Sequence, residues 1–260
     1  MVFVIFILGM CFGSFVNMLI FRTMFEKQIT RNRSFCDYCG KQLNWWNNIP
    51  VLSFLFQKGK STCCHKKLDF SYPIVEIITG VLFLLNFQFS IFNFQSIFNF
   101  EFLILNLITI LVIYSAVYDA KTMYLPDWST WTLIALAIIY NIIGRPLGSP
   151  LQYISNVYAA IGASGFLYLL YKITKGKGMG LGDVYLAVFM GLFLGWPKII
   201  VAFYIAFIVG AIFGITLLIL KKKKIKSEVP FGPFLLLGTI ISWYWGNAIW
   251  YSLFSKLVIK

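Results

Sequence analysis

The sequence predicts an all-α polytopic membrane protein of about eight transmembrane helices, with a small cytoplasmic cysteine-containing insertion between helices 1 and 2. Three observations carry this. Hydrophobic residues make up 60% of the 260 residues and charged ones 12%, and the mean hydropathy is +0.81; a soluble domain is nearer half apolar and a quarter charged. Apolar runs recur along the chain at lengths that suit a bilayer. The basic residues fill particular segments between those runs, so the formal net charge of +13 expresses membrane topology rather than affinity for nucleic acid.

The first segment, residues 1–22, is transmembrane helix 1. No basic residue precedes its apolar run and no small-residue cleavage site is evident, so it reads as a retained helix rather than a signal peptide. It contains Gly13-Ser14-Phe15-Val16-Asn17 and ends at Arg22. Gly and Ser let helices approach closely and a buried Asn needs a partner, so one reading of Asn17 is helix–helix glue. Residues 23–70 form a cytoplasmic loop domain with Cys36-Asp37-Tyr38-Cys39-Gly40, Asn47-Asn48-Ile49-Pro50 and Gly59-Lys60-Ser61-Thr62-Cys63-Cys64-His65. Four of the five cysteines lie in this polar loop. That points to metal or reduced thiols, not to a secreted disulfide scaffold.

Residues 71–260 carry helices 2–8, with apolar runs at 71–93, 99–118, 128–144, 151–173, 183–196, 199–220 and 234–255. Pro73 suits a first helical turn, and Glu76 falls just inside the membrane. The third run ends at Asp119. Pro126 can open the fourth, where the helix dipole favours Asp127. A lysine- and glycine-rich loop, 174–182, leads into Asp183. With the N-terminus outside, the segments 22–70, 119–127, 172–182 and 221–230 face inward. They hold all 22 Lys and Arg except Arg145, Lys198, Lys256 and Lys260. Asp119, Asp183 and the cysteine loop then share the cytoplasmic side.

Two aspartates at membrane boundaries, in a chain with nine acidic residues, point to an aspartyl protease. Ionised groups are expensive there and mark function. Two carboxylates can hydrolyse an amide by sharing one proton: the ionised one takes a proton from water, the protonated one hydrogen-bonds the scissile carbonyl. The single histidine, His65, sits in the cysteine loop, which disfavours a Ser-His-Asp triad, and no His-Glu-x-x-His zinc-protease motif is present. Gly180 and Gly182 let the backbone before Asp183 approach a substrate or a facing helix; the structural alternative is a flexible loop ending in an N-cap Asp. Asp127 competes with Asp119 for the second catalytic place. It is assigned a supporting role, with N-capping of the fourth run as the alternative. A proton-coupled transporter could use the same carboxylates as a relay. It would bring polar mid-span residues and repeats; few such residues and no repeat are evident.

Nearly the whole chain resembles the bacterial type IV prepilin peptidases, the leader peptidase/N-methyltransferase family of Gly-x-Gly-Asp aspartyl proteases. The likeness runs in order through Gly13-Ser14-Phe15-Val16-Asn17 with Arg22, Cys36-x-x-Cys39, Asn48-Ile49-Pro50, Tyr72-Pro73 to Glu76, and Thr79-Gly80. It continues through Asp119 with Leu125-Pro126-Asp127, Gly178-Met179-Gly180-Leu181-Gly182-Asp183, and Pro230-Phe231-Gly232-Pro233-Phe234. The resemblance implies a multi-pass protein of the bacterial cytoplasmic membrane with Asp119 and Asp183 as the catalytic pair. Its substrates would be prepilins or pseudopilins, cut after their basic leader. It also implies methylation of the new N-terminal residue from S-adenosylmethionine, with Asn17, Gly59 and Glu76 in support; the alternative is a peptidase without methyl transfer.

Two departures stand out. The family usually has a second Cys-x-x-Cys after Gly-Lys, whereas Ser61 stands where its first cysteine is expected. A structural zinc needs about four ligands, which Cys36, Cys39, Cys63 and Cys64 would supply, with His65 as an alternative. Tyr185 stands where the family usually has Lys; a lysine such as Lys177 would compensate.

Overall fold

The computed structural model describes residues 1–25, 34–36, 38–94, 100–143, 150–176, 179–220 and 229–258. Lys177, Gly178, Arg145, Lys221–Lys224 and Lys260 lie outside the described residues. Every apolar run of the sequence forms a helix. These are α1 (Val2–Met24), α3 (Ser71–Phe94), α4 (Phe100–Thr122), α5 (Asp127–Ile143), α6 (Pro150–Thr174), α7 (Leu181–Leu194), α8 (Lys198–Ile219) and α9 (Gly232–Val258). Between α1 and α3 lie a 3-10 turn, Trp45–Asn48, and the short α2, Leu52–Phe56. The chain is an all-α polytopic membrane protein, with two isolated β-bridges as its only extended pairing among the described residues.

Among the described residues, five helices, α1, α3, α4, α6 and α8, are long and apolar enough to cross a membrane. The run at 183–196 corresponds to α7, which has 14 residues. At 1.5 Å per residue α7 is about 21 Å long, short of the roughly 30 Å hydrocarbon layer. Its end is set by sequence: Gly195 takes a φ of +68°, and Pro197 begins the next helix as its N-cap. Among the described residues, the eight apolar runs thus form eight of the nine α-helices, the ninth being the short α2.

The chain forms two compact units, Met1–Tyr114 and Ser115–Lys260, with the boundary inside α4. In the first, α1 and α3 meet through small residues. A Cβ added to Gly9 would stand 2.8 Å from the Gly80 Cα, and one added to Gly13 2.7 Å from the Glu76 Cα. Such contact distances leave room only for glycine, the usual device of membrane helix pairs. Asn17 donates to the Tyr72 carbonyl at 3.1 Å, the helix–helix glue foreseen for it. Asn86 of α3 donates to Asn106 Oδ1 and Thr109 Oγ1 of α4.

In the second unit α7 is the centre, contacting α5, α6, α8 and α9. It buries most of its residues, among them Val184, Leu186, Ala187, Phe189, Met190 and Phe193, and leaves Leu181 and Tyr185 exposed on one face. A helix with so wide an apolar buried face belongs in a core. Gly191 brings its backbone against that of Ala160 on α6, where a Cβ would overlap the Ala160 backbone. Asn156 donates to Asn141 Oδ1, and Asn141 to the Leu192 carbonyl. These polar mid-helix groups satisfy one another, as buried polar groups must.

Replacing Gly191 tests the centrality of α7. Gly191→Val forces two backbones apart and is expected to cost about 3 kcal/mol or more, read as a lower melting temperature of the detergent-solubilised protein. Gly162→Ala, at a glycine with open space around it, is expected to leave the melting temperature unchanged.

Candidate active site

Asp119 sits in the last turn of α4, and Met123 closes that end by donating its N–H to the Asp119 carbonyl at 2.8 Å. A carboxylate is disfavoured beside the C-terminus of its own helix. Here the N-terminus of another helix offsets this: the Gly232 N–H, at the start of α9, donates to the Asp119 side chain. A Cβ at Gly232 would collide with that carboxylate, so glycine is required. Asp183 occupies the third position of α7, not its N-cap, which is Gly180. Its carboxylate reaches back to accept the Gly180 N–H at 3.2 Å. Each aspartate therefore rests on the free N–H groups of a helix start, where negative charge is favoured.

Gly182 brings the two together. A Cβ there would stand 3.2 Å from the Leu125 Cβ, so the turn into α7 lies directly against the loop that follows Asp119. Asp119 and Asp183 are both buried, at 5% and 7% exposure. Both line one cavity of about 510 Å³, together with Asp127, Tyr124, Tyr185 and the loop segment Val229, Pro230 and Phe231. Asp127 is in the first turn of α5 and is exposed. Burial thus separates the two competitors that the sequence left side by side. No His, Cys or Lys lines this cavity among the described residues, so carboxylates are its acid–base groups. Tyr185 lies at its edge, its ring 5.6 Å from that of Trp131.

The first unit carries two further features. The Sγ atoms of Cys36, Cys39, Cys63 and Cys64 all lie within 4.8 Å of one another. Cys36 and Cys64 are 3.7 Å apart, and Cys39 and Cys63 3.1 Å. Four thiolates about 2.3 Å from a tetrahedral zinc would be about 3.8 Å apart, so the donor set fits zinc with small adjustments. Two tight turns build it. One is closed by Cys36 N–H to the Lys41 carbonyl, the other by Ser61 N–H to the Lys66 carbonyl. His65 is exposed, with φ +55°, and is not among the converging ligands. Ser61 is buried within hydrogen-bond distance of Cys36 Sγ (3.2 Å) and Cys63 Sγ (3.1 Å). Burial pushes the Cys36 thiol up. The Ser61 hydroxyl, the Cys39 and Tyr38 backbone groups and the Cys63 thiol outweigh it and bring it to about 6, while the bond to Cys63 pushes the Cys39 thiol up to about 11.

The second feature is a cavity lined by Asn17, Glu76 and Arg22, with Cys36 and Ser61 in its wall. Glu76 does not pair with Asn17; it accepts the Val51 N–H at 2.7 Å and a bond from Ser14. Gly59 stands beside this cavity rather than in it. Its φ is +66°, and a Cβ there would press on the Phe54 ring at 3.2 Å.

Two family profiles match the sequence: the bacterial peptidase A24 N-terminal domain over residues 7–89, and the type IV leader peptidase family over residues 106–215. A prepilin leader peptidase/N-methyltransferase of Neisseria gonorrhoeae is 30% identical over 275 residues, covering 94% of this chain and 90% of the relative. Proteins of the same description from Bacillus subtilis (strain 168), 30% identical with 98% of each chain covered, and Aeromonas salmonicida, 32% identical over 84% of this chain and 74% of the relative, are likewise similar. This chain belongs to the type IV leader peptidase family. No solved structure matches it.

Within the leader peptidase framework, Gly232 is the site residue that the sequence did not single out. The signal for it was its place in Pro230-Phe231-Gly232-Pro233-Phe234, a motif of the resemblance, to which no site role was given. Gly232→Ala is expected to lower leader cleavage by about ten- to hundredfold, the worth of a hydrogen bond to a charged group. A melting temperature close to wild type would show that the loss is local.

Proposed function

We propose that the protein is a leader peptidase of type IV prepilins and pseudopilins in the bacterial cytoplasmic membrane, with its N-terminus outside and both sites facing the cytoplasm. Asp119 and Asp183 are the catalytic pair. The observation that carries this is two buried carboxylates, each on a helix N-terminus, opening into one cavity whose further carboxylate, Asp127, is exposed. One carboxylate, ionised, takes a proton from water as the water oxygen attacks the scissile carbonyl carbon. The other, protonated, donates to the carbonyl oxygen. Collapse of the tetrahedral intermediate breaks the C–N bond, and the leaving amine takes up the proton held by the pair. Gly180, Gly182 and Asp127 support this arrangement.

The four thiols bind a structural zinc, Cys63 taking the ligand place that Ser61 leaves. The released N-terminal amine is then methylated. S-adenosylmethionine supplies the methyl group, its sulfonium leaving as a neutral thioether. Asn17, Gly59 and Glu76 support this second activity in the first unit. Four thiols converging in spite of Ser61 favours the bifunctional reading over a peptidase without methyl transfer.

Cleavage of a purified prepilin should fall by about 10²–10⁴-fold or more in both Asp119→Asn and Asp183→Asn, with expression and melting temperature intact. Normal turnover by either variant would refute the pair. Mass spectrometry of the mature pilin should show one added methyl group at its N-terminus when S-adenosylmethionine is present; an unmodified N-terminus would leave a peptidase alone. Elemental analysis of the purified protein should find zinc in stoichiometric amount in the wild type and in Ser61→Ala, and not in Cys63→Ser.

A further inference from the structure

The segment between α1 and α3 turns large apolar side chains outward. Leu52, Leu55 and Phe56 are exposed on α2, Phe56 to 83%. Their spacing of three and four residues puts them on one side of the helix. The other side turns inward, where the Phe54 ring stands 5.3 Å from the ring of Phe70. Gln57 donates to Asn47 Oδ1 at 3.2 Å and so joins α2 to the 3-10 turn, on which Trp45 and Trp46 are exposed; Phe70 is exposed as well. Single exposed apolar residues are ordinary, whereas six large ones gathered on one short segment mark an interaction surface.

Two anchors fix the level of this surface. The Val51 N–H, at the start of α2, donates to Glu76 Oε2 at 2.7 Å. Glu76 lies five residues past Ser71, where the apolar span of α3 begins, or about 7.5 Å along the helix axis. Phe70, which packs on α2 through Phe54, directly precedes that span. These contacts hold α2 beside the membrane end of α3. Five residues are too few for a helix that stands alone, so the anchors, not propensity, present its apolar side.

A positive cluster adjoins the surface. Lys58 follows α2, and Lys60 and Lys67 oppose one another in an isolated antiparallel bridge. The Leu68 N–H bonds the Gly59 carbonyl at 2.8 Å and the Ser61 N–H bonds the Lys66 carbonyl at 2.9 Å. Lys60 and Lys67 are therefore a non-hydrogen-bonded pair, the kind whose side chains stand closer. Like charges directly opposite destabilise such a pair. Lys58, Lys60, Lys66 and Lys67 are all exposed. An anionic partner offsets their repulsion.

We propose that α2 and the 3-10 turn form an interfacial anchor on anionic phospholipid at this end of α3. The Trp, Leu and Phe side chains enter the headgroup layer, and the lysines meet the lipid phosphates. Aromatic rings favour the headgroup level, and an apolar side flanked by lysines binds an anionic bilayer surface. Position favours lipid over a protein partner, because the surface lies at the edge of the bilayer that α3 crosses. The inference rests on the membrane fold and on neither proposed activity.

The test replaces Leu55, or in a second variant Phe56, by the photoreactive p-benzoylphenylalanine in the full chain. Nanodiscs of equal parts phosphatidylglycerol and phosphatidylcholine hold the protein, and Ile212, exposed on α8, is the positive control. Mass spectrometry identifies the adducts. Lipid adducts are expected at both loop positions, with phosphatidylglycerol about fivefold or more above phosphatidylcholine, the scale of one lysine at a charged surface. Lys60→Gln together with Lys67→Gln is expected to lower that ratio by about fivefold without lowering the melting temperature. Adducts to a second copy of the chain, or lipid adducts at Ile212 alone, overturn the anchor. Equal adducts of the two lipids, or a ratio that the lysine changes leave as it was, overturn the anionic contact.

Discussion

The candidate active site depends on charge held where water is scarce. Asp119 and Asp183 are buried, and each carboxylate is stabilised by the first N–H groups of a helix: α9 for Asp119, α7 for Asp183. Helix starts offer unpaired donors and a favourable dipole at no cost in extra side chains. Around this constraint several glycines become necessary. Gly232 leaves space for a carboxylate, Gly182 lets the turn into α7 reach Leu125, and Gly191 keeps α7 seated against α6. A side chain at any of the three would move one aspartate relative to the other.

Much of this was legible in the sequence. Hydropathy alone placed all eight helices, because a membrane helix must satisfy its backbone internally and so announces itself as a long apolar run. The two aspartates were legible because ionisable residues are rare at such boundaries. The choice of Asp119 over Asp127 was not settled by residue chemistry. Both are carboxylates at helix ends, and only tertiary packing buries one and exposes the other. The Gly232–Asp119 bond joins residues far apart in the chain, and no periodicity reports such a contact. The run at 183–196 and α7 have the same length, but the helix starts and ends two residues earlier because Gly195 turns the backbone.

The cysteine loop shows how a local substitution can be absorbed. The sequence made Ser61 look like a missing ligand. In the fold its hydroxyl sits between Cys36 and Cys63, while the adjacent Cys63 and Cys64 both turn inward. Neighbouring ligands are awkward in an extended strand, whose side chains alternate sides. Here the backbone from Ser61 to His65 is a tight turn, closed by the His65 N–H on the Ser61 carbonyl at 2.9 Å. A turn can place consecutive side chains on one side, so the spacing rule for metal knuckles does not bind it. Cys36 and Ser61 also line the cavity that holds Glu76, so the thiol cluster and that cavity share a wall.

The short α7 explains how peptide hydrolysis and a membrane fold coexist. Non-helical backbone at membrane depth is tolerated only where it is buried in protein or lines a wet cavity. A helix of about 21 Å exposed to lipid would leave its ends unsatisfied or thin the bilayer. Here α7 is enclosed by α5, α6, α8 and α9, so its early start costs nothing against lipid. The irregular segments at both carboxylates, Met179–Gly180 and Val229–Phe231, line the cavity with Asp119 and Asp183. The Gly180 N–H, and the Gly232 N–H one residue beyond Phe231, serve the carboxylates, and the open space between them has room for water. The departure from a full span therefore coincides with the place where the chemistry needs water.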